Sequence, residues 1–115
     1  MLQNTNKTNF KPPHHLSPAT RRWVQSVLDD YELEEHHFHL LVLAGELLDK
    51  SRRARLALEV EGEFYYDRYN QPHPHPAHAV ERDSKLGFAK ILRELGLDIT
   101  ATENPRVNSI SGKRR

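Results

Sequence analysis

The sequence predicts a mainly α fold: three helices at about residues 18–30, 34–61 and 77–95, a small β-hairpin at about 63–72 between the second and third, and flexible termini. Three observations carry that expectation. Apolar residues recur at three- and four-residue spacing through each helical segment. Proline stands at the segment ends rather than inside them, and Gly62 and Gly96 stand just past two of those ends. An aromatic-rich stretch, "EFYYDRYNQPH", interrupts the helical pattern between the second and third segments.

Residues 1–15 are rich in Asn, Thr, Lys and Pro, with scarcely any large apolar group to offset the entropy of ordering, and read as a flexible arm. The domain proper runs from 16 to 97. Ser17 is placed to cap the first helix and Pro18 to occupy its first position, where a missing N–H costs nothing. Trp23, Val24, Val27, Leu28 and Tyr31 follow at helical spacing.

The second helix runs without proline and starts acidic, with Glu34 and Glu35. Its expected core stripe is Leu40, Leu43, Ala44, Leu47, Leu48, Ser51, Ala54 and Leu58. Gly45 is the weak point, and Glu46 with Lys50 and Asp49 with Arg53 are expected surface pairs. A second set, Phe38, Val42, Leu56 and Val60, lies away from that stripe. Either the first helix and hairpin cover it or it is a subunit interface.

Gly62 ends the helix, and Phe64, Tyr65, Tyr66 and Tyr69 flank a turn near Asp67 and Asn70. In "QPHPHPAHAVERD", Pro72, Pro74 and Pro76 hold the chain extended, so the stretch reads as a stiff connector whose last proline opens the third helix. Val80, Ser84, Gly87, Phe88, Ile91, Leu92 and Leu95 share that helix's inner face, where small Ser84 and Gly87 admit a close neighbour. Leu95-Gly96-Leu97 reads as a C-terminal stop. Residues 98–115 are polar, end in Lys113, Arg114 and Arg115, and read as a flexible basic tail.

At 115 residues the chain buries about two thirds of its unfolded surface, so a partner chain is a natural source of further burial. With no Cys, disulfides and thiolate metal sites are excluded. No apolar run approaches the ~20 residues of a membrane span, and a soluble, intracellular protein is expected. Lys and Arg number 17 against 16 Asp and Glu, so nucleic-acid binding has to come from a local patch. The one coherent basic face is on the third helix: Arg82, Lys85, Lys90 and Arg93, opposite Val80, Phe88 and Ile91. Lys50, Arg52, Arg53 and Arg55 spread around their helix.

His73, His75 and His78, with His36, His37 and His39, fit none of the paired spacings of zinc sites, and no metal or other cofactor is expected. No nucleophile elbow, phosphate-cradling Gly loop or Cys nucleophile is present, so no catalytic residues are nominated and no enzyme is expected.

The order of "HLSPATRRW", a long helix ending at "EGEF", a short hairpin, "HPAHAVERD" and "ILRELGL" resembles the phage terminase small subunits, in a compact branch with Leu-Ser-Pro, His-Pro and Leu-Gly-Leu motifs. The match covers about residues 12–98. By position Ser17, Pro18, Trp23, Gly62, His75, Pro76, Arg82, Leu95, Gly96 and Leu97 correspond. The resemblance implies a non-catalytic ring oligomer in the cytoplasm of an infected bacterium. It would bind viral double-stranded DNA to start packaging and deliver it to the large terminase subunit, an ATPase and nuclease.

The tail lacks the Pro-x-x-Arg continuation of many members, and no separate helix-turn-helix is evident. The candidate DNA contacts Arg82, Lys85, Lys90, Arg93, Lys113, Arg114 and Arg115 therefore come from charge placement alone, and the candidate interface of Phe38, Val42, Leu56 and Val60 comes from apolar residues lying away from the core stripe. Two rival readings are a His-rich metal-binding factor or metal-dependent nuclease, and a purely structural oligomeric interaction protein.

Overall fold

A computed structural model of the chain describes residues 10–97. Three helices, α1 (Pro18–Asp30), α2 (Glu35–Glu61) and α3 (Ala77–Leu95), carry a two-stranded antiparallel hairpin, β1 (Phe64–Tyr66) and β2 (Pro72–Pro74), between α2 and α3. The predicted fold class holds, and its boundaries follow local chemistry. The Ser17 hydroxyl accepts the Thr20 amide at 3.3 Å, with Pro18 in the first turn. Gly62 closes α2 at φ 91°, and Gly96 closes α3 at φ 78°, a left-handed turn in which the Leu97 amide donates to the Leu92 carbonyl at 2.9 Å.

Ala77 packs with Ala54 and Leu58, whereas Leu95 and Leu97 reach the cluster around Leu16, Val24, Val27 and Leu41, so α2 and α3 run antiparallel. α1 lies across the open end of that pair, with the Trp23 and Phe88 rings 5.4 Å apart. The small residues on α3 serve as expected. Ser84 is buried, and a Cβ at Gly87 would stand 3.0 Å from Leu47 Cδ1.

The α2 stripe is shifted from the expected one. Leu41, Gly45 and Asp49 are buried with Ala44, Ser51, Ala54 and Leu58, while Leu43 is exposed and Leu40, Leu47 and Leu48 are half-buried. The cause is α1, which crosses at Gly45: a Cβ there would meet Thr20 Cγ2 at 3.0 Å and Leu16 Cδ1 at 3.2 Å. Gly45 is a crossing point rather than a weak one. Both carboxylates of the expected surface pairs turn instead toward residues at and just before the start of α1. Glu46 pairs with His15 at 2.7 Å, and Asp49 turns to Ser17, Thr20 and Arg52 instead of Arg53.

The hairpin also reaches further than residue 72. Phe64 pairs with Pro74, Tyr65 with His73 and Tyr66 with Pro72. The proline run is thus the second strand rather than a connector beyond it. Proline is tolerated in a strand when its missing N–H faces away from the partner. Alternation at 72 and 74 meets that condition, and His75 next in line donates its amide to the Glu63 carbonyl at 2.9 Å. Pro76 does stand at the start of α3 as anticipated. Of the stretch read as an arm, residues 1–9 lie outside the described residues, and Phe10 stacks on Phe38 with centroids 4.6 Å apart.

Candidate nucleic-acid interface

Arg82, Lys85, Lys90 and Arg93 are all solvent-exposed on α3. Their charges are not equally free. Glu81, buried beside Arg82 and Lys85, takes two hydrogen bonds from Arg55 of α2, at 3.0 Å from Nε and 2.8 Å from Nη2, and a third contact at 3.0 Å from Lys85 Nζ. The Arg55 hydrogen bonds, then that of Lys85, outweigh burial and lower the Glu81 pKa to about 2. Lys85 thus serves a structural ion triad. Arg82 lies 3.3 Å from its neighbour Asp83. Among the described residues, Lys90 and Arg93 have no carboxylate partner.

Helical geometry places Arg82, Leu86, Lys90 and Arg93 in one line at steps of four, four and three. Leu86, 64% exposed, is therefore set within the basic face. The face is thus interrupted by an apolar side chain, a feature the charge count did not reveal. Lys113, Arg114 and Arg115 lie outside the described residues.

The candidate oligomer surface divides in two. Leu56 and Val60 are 59% and 73% exposed near the C-terminal end of α2, so neither α1 nor the hairpin covers them. Phe38 and Val42 are half-buried, and Phe38 carries the Phe10 ring. Phe64, Tyr65, Tyr66 and Tyr69 extend the exposed apolar surface beyond Val60.

A second buried carboxylate organises the opposite end. Asp49 Oδ1 accepts from the Ser17 hydroxyl at 2.7 Å and the Thr20 hydroxyl at 2.6 Å, and Oδ2 accepts the Ser17 amide at 2.8 Å. Arg52 Nη1 approaches Oδ1 at 3.6 Å and donates to Thr20 Oγ1 at 2.8 Å. Burial pushes this carboxyl up, yet the donors from Thr20 and Ser17 with the Arg52 charge leave its pKa lowered.

The histidines from β2 into the first turn of α3 face separate carboxylates: His73 with Asp67 at 2.8 Å, His75 with Glu61 at 2.7 Å and His78 with Glu63 at 3.8 Å. His75 Nδ1 also accepts the Ala77 amide at 3.0 Å, capping α3. Among the described residues, Glu34, His36 and His37 bring ligand-type atoms within 4.8 Å of one another. There the Glu34 amide lies 3.4 Å from His37 Nδ1, an N-terminal capping arrangement for α2.

Sequence reasoning missed a further basic surface at the start of α1, where Lys11, Arg21 and Arg22 line a common groove. The adjacent "RR" of "SPATRRW" was its only signal. No helix among the described residues is long and apolar enough to cross a membrane. The chain matches no family model, no curated protein and no solved structure.

Proposed function

We propose that the chain is a phage terminase small subunit: a ring-forming protein of the infected cell's cytoplasm that binds viral double-stranded DNA and recruits the large terminase ATPase and nuclease. The observation that carries this reading is where the motif residues fall. Ser17 and Pro18 start α1, Gly62 closes α2, His75 and Pro76 start α3, and Gly96 and Leu97 close it. The shared motif is thus a set of joints spaced for this one architecture.

Two kinds of surface support the assembly and binding parts of the proposal. Leu56 and Val60 give a partner copy apolar area that the small core leaves open. Exposed cations, Lys90 and Arg93 on α3 and Lys11 and Arg22 by the start of α1, are available to phosphates on each copy, and repetition around a ring multiplies otherwise weak phosphate contacts. The protein's work is positioning and recruitment.

Native mass spectrometry with and without duplex DNA tests the reading. A closed oligomer that takes up DNA supports it, and a monomer at micromolar concentration rejects it. Oligomers without DNA affinity at low salt point to the purely structural alternative. The Glu34, His36 and His37 grouping favours metal binding as a second reading. Stoichiometric metal in the purified protein, lost in His36→Ala with His37→Ala, would establish that one.

A further inference from the structure

Between residues 11–14 and the first turns of α1 lies an open groove of about 550 Å³, lined by Lys11, Pro12, His14, Pro18, Arg21, Arg22 and Gln25. No carboxylate lines it. Arg21 is half-buried, and its Nη1 donates to the carbonyls of His14 at 3.0 Å and Leu16 at 2.6 Å. Neutral acceptors hold the guanidinium in place without cancelling its charge. Lys11 and Arg22 are exposed, and among the described residues neither pairs with a carboxylate.

Asp49 of α2 sits at the same helix start, where its charge offsets the N-terminal partial charge of α1; it accepts from Ser17 and Thr20, faces Arg52 and does not line the groove. The positive character of the groove therefore comes from Lys11, Arg21 and Arg22 themselves. Pro12 and Pro18 restrict the backbone on both sides. The α3 face differs in its carboxylates and its apolar content: Asp83 and Glu81 sit beside Arg82 and Lys85, and exposed Leu86 lies in the line of its cations.

The geometry points to this groove as the site that takes the phosphate backbone of DNA, with Arg21 preset and Lys11 and Arg22 closing on the phosphates. The choice of DNA as the polymer rests on the terminase reading, whereas the anion chemistry rests on the groove. Arg21 is left intact in the test because its backbone contacts hold residues 14–16 to α1.

The measurement is fluorescence anisotropy of a labelled duplex with the full chain between about 50 and 200 mM NaCl. The variants are Lys11→Ala with Arg22→Ala and, separately, Lys90→Ala with Arg93→Ala. The first pair is expected to weaken binding about tenfold and to reduce the salt slope by about two, one per cation removed. The second is expected to change both much less.

If the wild type binds DNA and the Lys11 and Arg22 variant keeps its affinity and slope, the groove assignment falls while the DNA-binding reading stands. A wild type that binds no duplex at low salt overturns both. If a labelled oligoglutamate peptide then binds the wild type but not that variant, the groove belongs to an acidic protein partner and the DNA assignment is wrong.

Discussion

Arg55 of α2 grips Glu81 of α3 side-on, Nε to Oε2 at 3.0 Å and Nη2 to Oε1 at 2.8 Å, across the long antiparallel contact that forms the body of the domain. Glu81 is buried and Arg55 half-exposed, so the pair is a charged clasp at the edge of an interface whose centre is small and apolar. A two-pronged guanidinium contact also sets the register of the two helices.

Removing one partner is expected to harm more than removing both. Glu81→Ala or Arg55→Ala leaves a charge facing an interface with its main partner gone, and thermal unfolding should move down by several degrees. Arg55→Met with Glu81→Leu should recover much of the loss. Equal damage in the single and double variants, read by calorimetry, would show that the clasp does not act as a unit.

Acid stability provides a separate check. The Glu81 pKa is lowered from 4.5 to about 2, so its contribution is fully present above 4.5 and fades as pH falls from there through about 2. Denaturant midpoints of the wild type should therefore decline more steeply across that window than those of Glu81→Gln. Parallel curves would contradict the assignment.

Asp49→Ala takes the acceptor from the Ser17 amide and from the Ser17 and Thr20 hydroxyls at once. The expected cost is about 1.5 to 3 kcal/mol, the range for hydrogen bonds to a charged group. Hydrogen exchange should localise the loss to the first turn of α1, while the α2–α3 interface near Ala77 stays protected. Because this carboxyl's pKa is lowered, its support is present above the ordinary carboxylate range and is lost as pH falls.

Two glycine-to-alanine changes should differ in sign. At Gly45 the new methyl meets Thr20 Cγ2 at 3.0 Å, and Thr20 cannot turn away because its hydroxyl is bound to Asp49. Overpacking of about 1–3 kcal/mol then exceeds the gain of about 1 kcal/mol in helix propensity, so Gly45→Ala destabilises. At Gly87 the only near neighbour is the end of the Leu47 side chain, which can rotate. Gly87→Ala should be neutral or stabilising by up to about 1 kcal/mol. Chemical denaturation of both variants decides the point.

Leu56→Asp with Val60→Asp should shift a ring toward monomers in native mass spectrometry, with helicity by circular dichroism unchanged because both side chains are exposed. An intact oligomer would remove this patch from the interface.

The sequence by itself determined the three helices and their ends. Ser17 with Pro18, Gly62, and Gly96 with Leu97 act through backbone groups within a few residues of themselves, and such local chemistry is readable without knowing the fold. The 3.6-residue period also identified most of the inner face of α3, but Val80, expected there, is exposed and its neighbour Glu81 is buried instead, held inward by Arg55 of α2. What periodicity does not specify is which distant segment arrives at a given face. Asp49 looked like a surface partner for Arg53 until α1, 32 residues earlier in the chain, brought Ser17 to it. The same crossing gave Gly45 its contact and moved the α2 stripe, and the chain before α1 brought Lys11 into one groove with Arg21 and Arg22. The proline strand was likewise decided by its pairing with β1. In each case the deciding interaction joins one element to another, so only the tertiary arrangement could assign it.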